Sequence, residues 1–137
     1  MQLNLTTDYA LRSLLVLNGK KDVSSHDVSL QIGIEREFTL KILRRLREAG
    51  FVTSTKGKTG GYSLAKPLSK ITLYEVLRIM EDTMYLNRCL EPDHYCSRNG
   101  VALDCPANRF YQALQDRLDK ILKSTTLQDV LDESYEL

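Results

Sequence analysis

Apolar residues recur at intervals of three and four along the first half of the chain, which predicts a series of helices. The first begins near Thr6 or Thr7, either of which can cap it, and stops at an Asn-Gly pair. Its apolar face comprises Ala10, Leu11, Leu14, Leu15 and Leu17. The second helix is short, begins at Ser24 or Ser25 and ends at Gly33.

A third helix is predicted from Arg36 to Ala49, with Gly50 as its C-terminal cap. Its apolar stripe comprises Phe38, Ile42, Leu43, Leu46 and Ala49. Most of its cationic side chains fall on other faces, so this helix can pack on the protein and bind a ligand at the same time. Two short helices joined by a tight turn that contains glycine are typical of a helix-turn-helix.

Two short strands are predicted next, at residues 51–55 and 62–65. They flank residues 56–61, a Gly-rich tip that carries Lys56 and Lys58 and that a hydrophobic core does not require. A helix-turn-helix followed by such a hairpin is a winged helix.

The second half of the chain contains two further helical patterns. Thr72 and Glu75 form a capping box at the start of a fourth helix, which is predicted to run to about Asp82. Asp104 is a candidate cap and Pro106 a suitable first residue for a fifth helix. That helix has a coiled-coil seam of about two heptads, formed by Ala107, Tyr111, Leu114, Leu118 and Ile121. So short a seam indicates pairing with a second copy of the chain.

The predicted fold is therefore mainly α-helical, with a small β-hairpin wing and a long C-terminal dimerisation helix. Residues 1–82 are predicted to form a winged helix-turn-helix DNA-binding domain. Residues 83–105 form a cysteine-containing sensor loop, and residues 106–137 form the dimerisation helix with an acidic C-terminal tail.

The formal net charge of +1 conceals an uneven distribution of charge. Residues 36–58 contain seven basic residues against two acidic ones, whereas the last twelve residues contain four acids and no base. The basic segment coincides with the third helix and the wing, and it suits binding to phosphates.

The three cysteines, Cys89, Cys96 and Cys105, all fall within seventeen residues of irregular sequence. The chain has no apolar run near the roughly 18 residues that span a bilayer, and it lacks a secretory signal pattern. We therefore expect a cytoplasmic protein with no membrane partner, in which an odd number of reduced thiols is available for a metal or cluster. Small buried hydrophobes, or a zinc site completed by His94, are the alternatives, although the spacing lacks the C-x-x-C of structural zinc sites.

Four stretches together resemble the winged-helix transcription regulators typified by the iron–sulfur regulator IscR and the nitric-oxide sensor NsrR. They are TDYALR at 7–12, LKILRRLREAGFV at 40–52, GKTGGYSLA at 57–65 and ITL at 71–73. The resemblance implies a homodimer with crossing C-terminal helices, recognition helices in successive major grooves, and wings along the minor groove of a near-palindromic operator in double-stranded DNA. In the cluster-binding branches, three cysteines before the dimerisation helix hold an iron–sulfur cluster.

The gaps between the cysteines, six and eight residues, are longer than is usual in that family. Three thiolates also leave one cluster position open. Resemblance to NsrR implies Asp8 of the partner subunit as the fourth ligand and favours a 4Fe–4S over a 2Fe–2S cluster, whereas the His used by the IscR branch is replaced by Asn108. His94 is a local alternative. Less suited carboxylates in the loop are Glu91, Asp93 and Asp104.

Asp8 also has a purely structural explanation, because a carboxylate in the first turn of a helix complements the dipole and can pair with Arg12 one turn later. If Asp8 is a ligand, loss of the cluster would release it to Arg12 and shift the DNA-binding helices. Asp8 and Arg12 are therefore predicted switch residues.

The DNA contacts are predicted from position on the third helix and the wing. The residues expected near bases are Arg36, Glu37, Thr39 and Lys41; those expected on phosphates are Arg44 or Arg45, with Lys56 and Lys58 at the wing.

Three functions follow from these patterns, and none is enzymatic. The leading one is a dimeric repressor controlled by an iron–sulfur cluster that senses nitric oxide, redox stress or iron–sulfur supply. The second is a metal-free regulator that uses the cysteines as thiol switches. The third is a winged-helix interaction module that does not bind DNA.

Overall fold

A computed structural model describes residues 2–98 and 104–137. The helices are α1 (Leu5–Val16), α2 (Ser25–Ile32), α3 (Arg36–Glu48), α4 (Leu73–Met80), α5 (Pro106–Ser124) and α6 (Leu127–Leu131), and the strands are β1 (Val52–Ser54) and β2 (Tyr62–Leu64). The prediction of a mainly helical fold with a two-stranded wing is confirmed. None of the described helices is long and apolar enough to cross a membrane.

The core lies where α1, α2 and α3 meet α4. Its fully buried side chains include Leu14, Leu17, Val28, Ile42, Leu43, Leu46, Ile71 and Val76. Gly33 ends α2 in a left-handed conformation with a φ of 75°, which turns the chain sharply into α3. The predicted helix-turn-helix is therefore built around one apolar cluster that also includes Val76 and Met80 of α4.

The start of α1 differs from the prediction that Thr6 or Thr7 caps it. Asn4 has an extended backbone, and its side chain accepts a hydrogen bond from the backbone N–H of Thr6 at 2.9 Å, so it is the N-cap. Thr7 lies within the helix, is fully buried and donates its hydroxyl hydrogen bond to Glu81.

The wing is a two-stranded hairpin whose second strand also makes one isolated bridge to the chain between α1 and α2. β1 and β2 pair antiparallel in the register Val52↔Leu64, Thr53↔Ser63 and Ser54↔Tyr62. Val23 adds an isolated bridge to Tyr62, with reciprocal N–H···O distances of 2.9 and 2.8 Å. A Cβ on Gly61 would lie 2.4 Å from the backbone of Asp22, so glycine is required where the hairpin passes the chain between α1 and α2.

The capping box of α4 is confirmed. Thr72 Oγ1 accepts from the backbone N–H of Glu75 at 3.2 Å, and Glu75 Oε2 accepts from the backbone N–H of Thr72 at 2.8 Å. The predicted end near Asp82 is two residues too late, because Glu81 leaves the helix with an extended backbone and uses its carboxylate to contact α1.

The start of α5 also corrects the prediction. The N-cap is Cys105 rather than Asp104, because Cys105 has the extended backbone and its carbonyl accepts from Arg109 N–H at 3.1 Å. Pro106 occupies the first turn, as predicted. On the predicted seam, Leu114 is 45% exposed, so this part of the apolar face is uncovered in the single chain.

A sixth helix, α6, was not predicted. Thr126 and Asp129 form a second capping box, and Leu127 is fully buried in the core. The backbone N–H of Leu127 donates to Ile71 O at 2.8 Å, and that of Leu73 donates to Thr125 O at 3.0 Å. The end of α5 is thereby attached to the start of α4.

Candidate cysteine centre and nucleic-acid surface

The segment between α4 and α5 carries the first cysteine on a short folded turn. Cys89 lies in a 3-10 turn, Arg88–Leu90, where its backbone N–H donates to the side chain of Asn87 at 3.2 Å. Leu90 is buried and anchors this turn to the body of the protein. Cys89 therefore has a defined place although the sequence around it has no regular pattern.

Arg88 closes the chain between Cys89 and Cys96 into a compact loop. Its guanidinium donates to Glu91 at 2.7 Å, pairs with both carboxylate oxygens of Asp93, and lies 5.6 Å from the ring centre of Tyr95. The hydrogen bonds from Arg88 hold the pKa of the Asp93 carboxyl below its ordinary value, and Asp93 raises the pKa of Arg88. Two of the carboxylates suggested as lesser ligands, Glu91 and Asp93, are thus engaged by Arg88.

The three cysteines line one cavity of about 250 Å³. All three are partly exposed. Asn108, in the first turn of α5, donates from Nδ2 to Cys89 Sγ at 3.3 Å. The described residues that share this cavity with the cysteines are Asn87, Arg88, Tyr95, Ser97, Ala107, Asn108 and Tyr111. Folding thus brings together thiols that are far apart in the irregular loop.

The three thiols lie around the wall of the cavity rather than at one point. Among the described residues, no three His, Cys, Asp or Glu side chains are grouped closely enough to hold one metal ion. The thiolates of a 4Fe–4S cluster each bind a different iron, so they need to surround a cavity rather than meet at one point. Three thiolates can supply three of the four protein ligands of a 4Fe–4S cluster or of a zinc ion.

The two candidates for a fourth ligand lie in different environments. His94 is exposed, has a left-handed backbone with a φ of 47°, and is not among the described residues that line the cavity. The chain's own Asp8 pairs with Arg12 at 2.8 Å on the outer side of α1. The ion pair that explains Asp8 structurally is therefore formed. The role of Asp8 as a ligand donated by a partner subunit stays a prediction.

The outer face of α3 carries a subset of the predicted DNA contacts. With 3.6 residues per turn, Glu37, Lys41 and Arg44 lie on the face opposite the buried residues, and all three are exposed. Arg36 is also exposed and donates to Ser25 Oγ at 3.0 Å. Lys56 and Lys58 are exposed at the tip of the wing, as predicted. These cationic side chains are all accessible to a DNA backbone.

One predicted base contact on α3 needs correction. Thr39 is fully buried, and its hydroxyl donates to the carbonyl of Glu35 at 3.0 Å, so it cannot reach a base edge. Arg45 is exposed, like Arg44, and its guanidinium donates to the backbone carbonyl of Ile79 in the last turn of α4. A phosphate contact by Arg44 or Arg45 stays a prediction.

Sequence reasoning missed two polar residues that organise the site. Gln115 is buried on α5, where its Oε1 accepts from Leu86 N–H at 2.8 Å and its Nε2 donates to Met84 O at 3.0 Å. No sequence signal marks Gln115, because its partners lie about thirty residues away. The second is Asn108, which stands where the IscR branch has a His and whose side-chain amide donates to Cys89 Sγ.

Comparison with known proteins places this geometry in a family. The Rrf2 family model, described as iron-dependent transcriptional regulators, matches residues 3–133. An HTH-type transcriptional regulator of Aquifex aeolicus is 31% identical, with 92% of this chain and 88% of the relative covered.

Two solved structures share the fold at low sequence identity. CymR, the global cysteine regulator of B. subtilis, is 23% identical with a TM-score of 0.78 and covers 97% of this chain and 98% of its own. T. potens IscR is 20% identical with a TM-score of 0.73 and covers 98% of this chain and 88% of its own. Together with the match over residues 3–133, the helix-turn-helix, the wing and the long α5 show a transcription regulator rather than an enzyme, and the chain belongs to the Rrf2 family.

Proposed function

We propose that the chain is a dimeric repressor whose operator binding is controlled by an iron–sulfur cluster bound by Cys89, Cys96 and Cys105. The observation that carries the proposal is the shared cavity of about 250 Å³, which all three cysteines line. The cysteine loop that lines this cavity follows the winged helix along the chain and precedes α5, the helix with an uncovered apolar face. A change in ligation there can alter how two copies place their recognition helices.

When bound, the cluster supplies a reactive centre for nitric oxide, oxidants or iron loss. The protein supplies three thiolates, a hydrogen bond from Asn108 to the sulfur of Cys89, and a loop held by Arg88. We favour a 4Fe–4S cluster completed by Asp8 of the partner subunit. In that case Asp8 exchanges its pairing with Arg12 for iron.

The DNA-binding surface in this proposal comprises the exposed face of α3 and the wing. Arg36, Glu37 and Lys41 lie in the N-terminal half of α3. This is the part of a recognition helix that reaches base edges. Arg44, Lys56 and Lys58 supply contacts to phosphates, which give affinity that falls as salt rises. A near-palindromic operator follows if the two copies are related by a twofold axis.

The first test is anaerobic purification followed by DNA binding. We expect brown protein with iron and acid-labile sulfide, and a different affinity for DNA when the cluster is removed by a chelator or by nitric oxide. A suitable probe is a duplex selected from a random-sequence library by the wild-type chain. Colourless protein with stoichiometric zinc would reject the cluster, and failure to select any duplex would favour the interaction module.

Asp8→Ala tests the fourth ligand, with Arg12→Ala as its matched control. If Asp8 binds iron, Asp8→Ala changes the cluster spectrum and its response to nitric oxide, whereas Arg12→Ala leaves the spectrum unchanged because it removes only the ion pair. An unchanged spectrum and response in Asp8→Ala would remove Asp8 from the ligand set.

A metal-free thiol switch is the second candidate, because the partly exposed thiols share a cavity that a small oxidant can enter. In this reaction a peroxide oxidises one thiolate to a sulfenate, and a second thiol displaces water to form a disulfide. Two thiols are oxidised by two electrons while the peroxide is reduced. Peroxide-dependent DNA binding by metal-free protein, with a disulfide identified by mass spectrometry, would favour this candidate over the cluster.

A further inference from the structure

The last turn of α4 is attached to the recognition helix. Arg45 on α3 donates from Nη2 to the backbone carbonyl of Ile79. Carbonyls in the last turn of a helix lack partners within the helix, and a cation there also complements the helix dipole. Arg45 therefore connects the C-terminal half of α3 to the C-terminal end of α4.

The residue that follows α4 is attached to the start of α1. Glu81 Oε1 accepts from the backbone N–H of Asn4 at 2.9 Å and from the hydroxyl of Thr7. Thr7 is fully buried and immediately precedes Asp8. The end of α4 thus contacts both the recognition helix and the helix that carries the proposed fourth ligand.

The same end of α4 leads directly into the cysteine loop. Leu86 and Met84 are hydrogen-bonded through their backbones to the buried amide of Gln115 on α5, at 2.8 and 3.0 Å. Cys89 follows three residues after Leu86. The chain between α4 and Cys89 is therefore held against α5 rather than spanning solvent, so movement at Cys89 is passed to its neighbours.

We propose that Arg45 is a positioning residue that couples the ligation state of the cysteine loop to α3 through the end of α4. This inference rests on the proposed function and names how its signal reaches the DNA-binding surface. α4 is only eight residues long, and its last turn bears the carbonyl of Ile79 that accepts from Arg45. In this proposal a displacement of the C-terminal end of α4 shifts that carbonyl, and the hydrogen bond from Arg45 Nη2 passes the shift to α3.

Arg44 provides a matched control, because it is the adjacent arginine on the same helix and is exposed like Arg45, but its side chain leaves the helix about 100° away from that of Arg45. The experiment compares Arg45→Met with Arg44→Met. For each, the dissociation constant for a duplex selected by the wild-type chain is measured with and without the cluster over a range of salt. The coupling is the ratio of the two dissociation constants.

We expect Arg45→Met to bring the coupling ratio toward one by about fivefold or more while leaving the salt slope unchanged. Arg44→Met should retain the ratio and reduce the salt slope by about 0.9, the value of one phosphate contact. Arg45→Lys, which keeps a cationic donor on a different side chain, should retain part of the ratio. If Arg45→Met does not fold, Arg45→Lys is decisive by the same measurement.

The outcomes separate the inference from the proposed function. A wild-type ratio of one overturns cluster control itself. If the wild-type ratio differs from one and both Arg45→Met and Arg45→Lys retain it, the role of Arg45 is overturned. A lower salt slope in Arg45→Met, with equal weakening in both states, would overturn it too and make Arg45 a phosphate contact instead.

Discussion

The winged helix and the cysteine loop are stabilised by different kinds of interaction. The winged helix is organised around fully buried side chains contributed by several helices, such as Leu14, Leu43 and Val76. In the described part of the loop, residues 83–98 and 104–105, only Leu90 is buried, and the remaining order comes from polar contacts such as those of Arg88. Apolar burial persists whatever the ligand, whereas polar contacts can exchange partners when a ligand binds.

This difference suits a sensor loop attached to a stably folded DNA-binding domain. Segments with few buried contacts open at low free-energy cost, and switching elements are drawn from such segments. The core keeps α3 folded and accessible to DNA with or without the cluster. The loop can change its ligands without unfolding the domain. The following predictions test that division of roles, beginning with the largest effect.

Replacing one cysteine should abolish the cluster and leave the winged helix intact. Cys96→Ser is expected to reduce iron and sulfide to background, since a hydroxyl does not replace a thiolate ligand. The free energy of unfolding of the metal-free chain should change little. Ser97→Ala, in the same cavity but without a thiol, is the control and should retain the cluster. A brown Cys96→Ser protein would contradict the ligand assignment.

A cavity in the core should damage the winged helix severely. Leu46→Ala removes a fully buried side chain of α3 and should lower the free energy of unfolding by about 2–5 kcal/mol in urea denaturation. Leu30→Ala, at a position that is 66% exposed, should change it by less than about 0.5 kcal/mol. Equal effects in the two variants would contradict the assigned core.

Removing the charges of the wing tip should weaken DNA binding in both cluster states. Lys56→Ala with Lys58→Ala should reduce the salt slope by about 0.9 for each phosphate that is no longer neutralised. The ratio between the cluster-bound and cluster-free dissociation constants should persist in this variant, whereas replacement of Arg45 is expected to bring that ratio toward one. Lys120→Ala, an exposed charge on α5, is the control for nonspecific electrostatics. An unchanged salt slope in the double variant would exclude the wing from the interface.

Loss of the α4 cap should produce a smaller change in stability. Thr72→Ala removes the hydroxyl that accepts from Glu75 N–H, and should cost about 1 kcal/mol in urea denaturation. Ser69→Ala, an exposed hydroxyl just before the helix, should be nearly neutral. If both variants unfold like wild type, the capping box does not contribute to the stability of α4.

The smallest expected effect is a local pH dependence of the cysteine loop. Arg88 lowers the pKa of Asp93 in the folded protein. The contribution of this pair to loop order is therefore present above the pKa that Asp93 has in the unfolded chain. It is lost as the pH falls through the lower pKa of Asp93 in the folded protein. The amide proton shift of Tyr95, whose N–H donates to Asp93 at 3.4 Å, should report this transition by NMR. Asp93→Asn should abolish it, and Asp82→Asn should not.

Local signals explain why much of the fold could be predicted from sequence. The capping box of α4, the glycine after α2 and the apolar stripe of α3 each depend on residues within a few positions of one another. The helix α6 escaped prediction because five residues show no periodicity, and Leu127 is buried only by segments distant in sequence. The caps at Asn4 and Cys105 were missed because neighbouring residues offered equally suitable side chains.

The candidate site was predictable in its residue types but not in its contacts. The three thiols and the basic segment were apparent from composition, and their role as candidates followed from resemblance. Thr39 was misassigned because membership of the recognition helix does not say which way a side chain points. Gln115 left no signal, since its polar side chain is buried by backbone partners on another segment.

The sequence by itself determined helices α1 to α5, the wing, the cluster of positive charge and the presence of three cysteines before the last long helix. These follow from short-range spacing, which the chain carries wherever it folds. Only the tertiary structure decided that the cysteines share a cavity, that Arg44 faces outward while Arg45 holds α4, and that Asn108 contacts Cys89. Those facts depend on how helices pack, because packing fixes the rotation of each helix and brings distant segments within hydrogen-bonding distance.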